Sequence, residues 1–125
     1  MELNKVRALE EELHQQEKLL KCLCVVYEQL KDCRAREEIL EKFENEQLHE
    51  HKERIADLRH KIKASRELLL EELGNLPEPL KTTARLFFVD CRKVKEIAEQ
   101  THYSTKAIYV HLRKIREKLN QAESV

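Results

Sequence analysis

The chain has 125 residues, of which 38% are charged and only 5% aromatic, with a single Gly, two Pro and no Trp. That composition excludes a compact core spread over the whole length and favours a helical chain made of one small domain and one elongated segment. The formal net charge is zero, yet residues 1–80 carry 14 Lys/Arg against 19 Asp/Glu and residues 81–125 carry 10 against 5, so an acidic segment precedes a basic one suited to a phosphate backbone.

From Glu2 to Leu73 there is neither Gly nor Pro, and Leu, Glu, Lys, Arg and Gln dominate; all are good helix formers. A heptad with Val6 at a places Val6, Leu13, Leu20, Tyr27, Arg34, Glu41, Leu48, Ile55, Ile62 and Leu69 at a. The d positions are Leu9, Gln16, Leu23, Leu30, Glu37, Glu44, His51, Leu58, Ser65 and Glu72. Both flanks suit a coiled-coil seam, but Arg34 to Glu44 puts charge where apolar residues belong. One solution is a rod of about 105 Å at 1.5 Å per residue, pairing with a second chain. The other is a reversal near Asp32–Glu46 that folds helix 4–31 antiparallel onto helix 47–73. Four charged seam positions in a row disfavour the rod, and the absence of a Gly or Pro turn signal disfavours the hairpin; the balance tips towards the hairpin. Either way, residues 1–73 are expected to form a helical dimerisation stalk, because two thin amphipathic helices bury little alone.

Gly74-Asn-Leu-Pro-Glu-Pro79 marks the clearest boundary, a linker over 74–79 in which Gly74 is expected to supply a left-handed helix cap and the prolines to open the next helix. In residues 80–120, Leu80, Ala84, Phe87, Phe88 and Cys91 give the apolar face of a short helix. Val94, Ile97 and Ala98 mark a second, and Ile108, Leu112, Ile115 and Leu119 a third, capped by Ser104 or Thr105. The chain is thus expected to be all-α, a long coiled-coil helix or antiparallel helical hairpin followed by a tri-helical helix-turn-helix domain.

In such a domain the third helix turns Thr105, Lys106, Tyr109, Val110 and Arg113 outward, where its N-terminal part reaches base edges. Arg113 and Lys106 suit guanine acceptors, and apolar side chains suit the thymine methyl. Arg92, Lys93, Lys95, Lys114 and Arg116 are expected at phosphates, which position a domain without specifying sequence.

The run from Val94 to Leu119 resembles region 4 of bacterial sigma factors and the LuxR-type output domain. Ser104, Ile108, His111, Leu112, Ile115, Lys118 and Leu119 match the family pattern of Ser, Val or Ile, His, Leu, Ile and a closing Lys-Leu. The resemblance covers about the last third of the chain. With the charged helical segment before it, the whole is similar to small phage and prophage transcriptional regulators of the ArpU and RinA late-gene-activator type. It implies a double-stranded DNA partner, a homodimer and a contact with RNA polymerase. These families commonly carry Gly in the turn; here Thr101-His-Tyr103 stands in its place, as Asp90-Cys-Arg92 does in the turn before. A non-Gly residue must then take the left-handed conformation at about 1 kcal/mol. A complete sigma factor would need a separate aromatic-rich domain to melt promoter DNA.

Other chemistry is weakly signalled. Cys22, Cys24 and Cys33 with His49 and His51 invite a zinc reading, but residues two apart on a helix point away from each other, so no metal is expected. His111 has no nucleophile or orienting group in sequence reach, and no phosphate loop or carboxylate pair is visible, so neither an enzyme nor a cofactor is expected. No apolar run approaches the roughly 18 residues that span a bilayer, and no secretory pattern opens the chain. The expectation is a cytoplasmic protein with no membrane partner and reduced cysteines. The competing reading is a protein-interaction adaptor or anti-activator whose coiled coil engages RNA polymerase or another regulator.

Overall fold

The computed structural model describes residues 3–123, and every regular element among them is helical. In chain order these are α1 (Lys5–Asp32), α2 (Glu37–Phe43), a π-helical stretch Glu44–His49, α3 (Glu50–Leu73), α4 (Glu78–Ala84), a second π-helical stretch Arg85–Val89, α5 (Val94–Thr101) and α6 (Thr105–Glu123). Contacts divide the chain into two compact units: Ala8–Lys63, and the residues through Arg7 together with those from Ala64 onward. No described helix is long and apolar enough to cross a membrane.

Ala8–Lys63 is a helical hairpin. Glu17 of α1 meets Arg59 of α3 at 3.5 Å, and Tyr27 stacks on Phe43 of α2 at 6.1 Å and donates to Glu44 at 3.3 Å. Rising numbers on one arm meet falling numbers on the other, so the arms are antiparallel and the continuous rod is ruled out. The reversal is tighter than the interval Asp32–Glu46: Arg34 takes φ 55°, its N–H bonds to the carbonyl of Lys31, and the N–H of Ala35 reaches back to Leu30. This is a Schellman ending with Arg in the place usually held by Gly, which is why no turn signal stands in the sequence. From Glu37 the backbone stays helical, because the π-helical residues share the same backbone region as their neighbours.

The seam positions Leu48, His51, Ile55, Leu58 and Ile62 are buried on this second arm, whereas Leu13, Leu20, Leu23, Tyr27 and Leu30 of α1 are half-buried. The charged seam interval falls at the turn and along α2 into the π-helical stretch, where Leu40 and Phe43, each one position before the heptad site, are half-buried instead.

In the other unit, α6 packs on α4 and on α5. Its core includes Val6, Leu73, Leu80, Phe88, Ile97, Ile108 and Ile115. Leu86 and Val89 are buried as well, although a regular helical spacing built on Leu80, Ala84 and Phe87 leaves them off the face; Thr83, three residues after Leu80, is buried on that face. The π-helical turn explains this: the N–H of Asp90 bonds five residues back to Arg85 and that of Arg92 six back to Leu86. The wider turn changes which side chains face inward. Phe87 is half-buried, with its ring against the Arg7 guanidinium at 4.2 Å. Arg7 also donates to the carbonyls of Phe87 at 3.1 Å and Arg92 at 3.5 Å, and Arg66 donates to Val89 at 3.2 Å. The last carbonyls of a helix have no partner within it; here two guanidinium groups supply one.

Gly74 does not take the left-handed conformation expected of it; no described glycine has positive φ. It closes a turn through its N–H to Glu71 at 3.3 Å. A Cβ there would stand 3.3 Å from that same carbonyl oxygen, so what the site needs is close approach rather than an unusual φ.

The hairpin seam also contains two polar atoms, His51 Nε2 and Gln16 Oε1, that are buried without a hydrogen-bond partner among the described residues. An unsatisfied buried polar atom costs about 1–3 kcal/mol. His51→Leu is therefore expected to stabilise the protein by about that amount, read as a raised urea midpoint with unchanged slope.

Candidate nucleic-acid interface

The surface singled out by the sequence is the outer side of α6, and its position is set by the turn before it. α5 starts after Lys93, whose extended backbone (φ −77°, ψ 151°) leaves its carbonyl to receive the N–H of Ile97 at 3.0 Å. It ends with the Thr101 hydroxyl donating back to the carbonyl of Ile97 at 2.7 Å. His102 then takes the left-handed conformation (φ 63°, ψ 18°), as Cys91 does in the preceding turn (φ 54°). The glycine-free sequence required both residues to do so.

α6 is opened by Ser104 and not by Thr105: the Ser104 hydroxyl accepts the N–H of Ala107 at 3.1 Å and its carbonyl receives that of Ile108. A hydroxyl at the cap satisfies one of the unpaired N–H groups of the first turn. With the helix start fixed, periodicity does the rest. Ile108, Leu112 and Ile115 face the core, and Thr105, Lys106, Tyr109, Val110 and Arg113 line a shallow, open depression along the other side. Tyr109 is 62% exposed, and Val110 is half-buried at the edge. Between Ser104 and Arg116 there are four cations and no Asp or Glu, so the first three turns of α6 carry a potential of one sign.

The residues expected at phosphates are distributed differently. Lys93, Lys95 and Lys114 are exposed. Arg92 is exposed but lies 3.5 Å from the Glu96 carboxylate, which offsets part of its charge. The Arg116 guanidinium is 6.0 Å from the centre of the Phe88 ring, held towards the core side of α6 and away from the outer depression.

Two residues without an assigned role in the sequence hold this surface in place. Thr83 of α4 is fully buried; its hydroxyl donates to Pro79 at 3.2 Å and lies 3.0 Å from His111 Nδ1. A hydroxyl has one proton, so when Pro79 receives it, the Thr83 oxygen accepts the hydrogen of Nδ1. The ring of Tyr103 meets His111 edge-on at 5.1 Å. Tyr103, His111 and Thr83 thus tie the turn to α6 and α6 to α4. The only sequence signal was a Thr four residues after Pro79, too common to single out. His111 is half-buried in this chain of contacts, a packing role.

Among the described residues no three or more His, Cys, Asp or Glu side chains come together to hold a metal ion. No protein-family model, curated protein or solved structure matches the chain.

Thr83→Val removes the hydroxyl but keeps the shape, leaving His111 Nδ1 without its partner. A loss of about 1–3 kcal/mol is expected, against about 1 kcal/mol for Ser104→Ala, which removes a single cap. Parallel urea titrations of the two variants test that order.

Proposed function

We propose that this chain is a sequence-specific, double-stranded DNA-binding transcriptional regulator, acting as a homodimer through its helical stalk, with α4, α5 and α6 serving as a tri-helical helix-turn-helix. The observation that carries the reading is the outer face of α6. It exposes two cations, Lys106 and Arg113, beside an aromatic and an aliphatic side chain, with no acid within the first three turns and a packed core behind it. An α-helix fits the major groove, where Arg or Lys meets the guanine acceptors and an apolar surface meets the thymine methyl. Arg113 and Lys106 are the base-reading residues, Tyr109 and Val110 the apolar contacts, and Lys93, Lys95 and Lys114 the backbone contacts. The resemblance of Val94–Leu119 to sigma region 4 and LuxR-type domains supports the same reading, as does the similarity of the whole to small phage and prophage regulators. On that similarity RNA polymerase is the protein partner and the cytoplasm the location.

The test is anisotropy or mobility-shift binding of the full chain to a library of genomic duplexes across a salt series. Binding should weaken steeply with salt, in proportion to the phosphates neutralised. The Lys106→Ala, Arg113→Ala variant should lose the preferred sequences by tenfold or more, since a good base contact is worth about 1–3 kcal/mol. Lys93→Ala should weaken all duplexes alike. Absence of duplex binding by the intact chain at low salt overturns the reading.

A further inference from the structure

The outer face of α6 has a spacing as well as a chemistry. Lys106 and Arg113 stand seven residues apart, close to two helical turns, so they fall within about 20° of one line along the helix. Tyr109 and Val110 lie between them, Tyr109 to one side of that line and Val110 to the other, and all four border the same open depression. Neither cation has an ion-pair partner among the described residues. The first acid on α6 is Glu117, one turn beyond Arg113, and no ion pair joins the two.

We propose that this spacing fixes the pattern of the DNA half-site: two guanines separated by one or two base pairs, with a thymine between them. The proposal rests on the DNA-binding reading above and says which duplex the face accepts. Seven residues advance about 10.5 Å along the helix axis. Stacked base pairs rise about 3.4 Å each, and the winding of the groove lengthens the path from one base edge to the next, so that advance covers two or three steps. The major groove is about 12 Å wide, and a helix with its side chains is about 10–12 Å across, so α6 fits lengthwise with both cations over the groove floor. Set across the groove, it would offer only one of them to base edges. The acid-free run from Lys106 to Lys114 suits the lengthwise path, because phosphates border the groove all along it.

Chemistry assigns the two ends and the middle. Guanine turns two acceptors, N7 and O6, into the groove; Arg113 can donate to both at once, whereas Lys106 donates from a single nitrogen. The guanine under Arg113 is therefore the more stringent position. Cytosine presents a donor there and adenine one donor beside one acceptor, so neither base satisfies a cation as well. Between the cations, Tyr109, which is 62% exposed, and Val110 present apolar surface, and the methyl group of thymine is its match on the groove floor.

The experiment is selection of bound duplexes by the full chain from a pool with a randomised stretch, followed by sequencing, for the parent, Lys106→Ala, Arg113→Ala and Lys93→Ala. All three side chains are exposed, and circular dichroism checks that each variant keeps its helices. The parent should enrich two guanine positions with one or two pairs between them. Arg113→Ala should lose the preference at one of them by roughly tenfold or more and keep the other. Lys106→Ala should do the reverse, with a smaller loss, and Lys93→Ala should weaken every duplex while keeping both preferences. Replacing the intervening thymine by deoxyuridine removes only its methyl group. It should weaken the parent several-fold and leave the Tyr109→Ala, Val110→Ala variant unaffected. Guanines that are adjacent or more than two pairs apart overturn the pattern. So do a single position relaxed by both variants, a Lys106→Ala loss shared by all duplexes, and a methyl group that makes no difference to the parent. Enrichment of duplexes without this pattern removes the proposal and leaves the DNA-binding reading standing; enrichment of none removes both.

Discussion

The outward face of α6 depends on one small core. Phe88, Ile97, Ile108 and Ile115 all lose essentially all access to water, and each such side chain contributes about 1.5–3 kcal/mol of apolar burial. In a unit with few aromatic residues, those four fix the rotation of α6 about its own axis. Had Ile108 and Ile115 turned outward, Lys106 and Arg113 would turn inward, and two unpaired cations in an apolar core are prohibitive. The same packing that hides the isoleucines therefore presents the cations. The buried core and the cationic surface are two sides of one helix.

The turns of both units are closed with little help from glycine. Arg34, Cys91 and His102 each take a left-handed conformation at a helix ending. Such a residue stays there only where the surroundings determine it. At Cys91 the adjoining carbonyls are held by Arg7 and Arg66. After His102 the turn is held by the edge of Tyr103 on His111, and His111 by Thr83. At Arg34 the backbone itself closes the loop through Ala35. At Cys91 and after His102, side-chain contacts thus serve where a glycine would otherwise relieve the strain, and they link the ends of helices to positions far away in sequence.

The hairpin follows a different logic. Its α3 arm buries a regular series, Leu48, His51, Ile55, Leu58 and Ile62, while α1 stays half-exposed along its own seam. Two helices cannot enclose each other's apolar faces, because each covers only a stripe of its neighbour.

By itself the sequence determined the helical class, the apolar seam of the second arm, the break in helix between Leu73 and Glu78, the turns that must take positive φ without glycine, and the five residues that share the outer side of α6. Each follows from local chemistry: propensity, a 3.6-residue period, the fixed φ of proline, the geometry of a cap. What only the tertiary structure decided lies beyond one period of one helix. It placed the hairpin turn at Arg34, because a Schellman ending with arginine has no composition signal. It denied Gly74 the left-handed conformation, since the turn there needed room beside the Glu71 carbonyl instead. It turned Leu86 and Val89 inward, because the π-helical stretch changes the phase on which a regular count depends. And it brought Arg7 onto Phe87, a pairing of residues eighty apart that no spacing rule could contain.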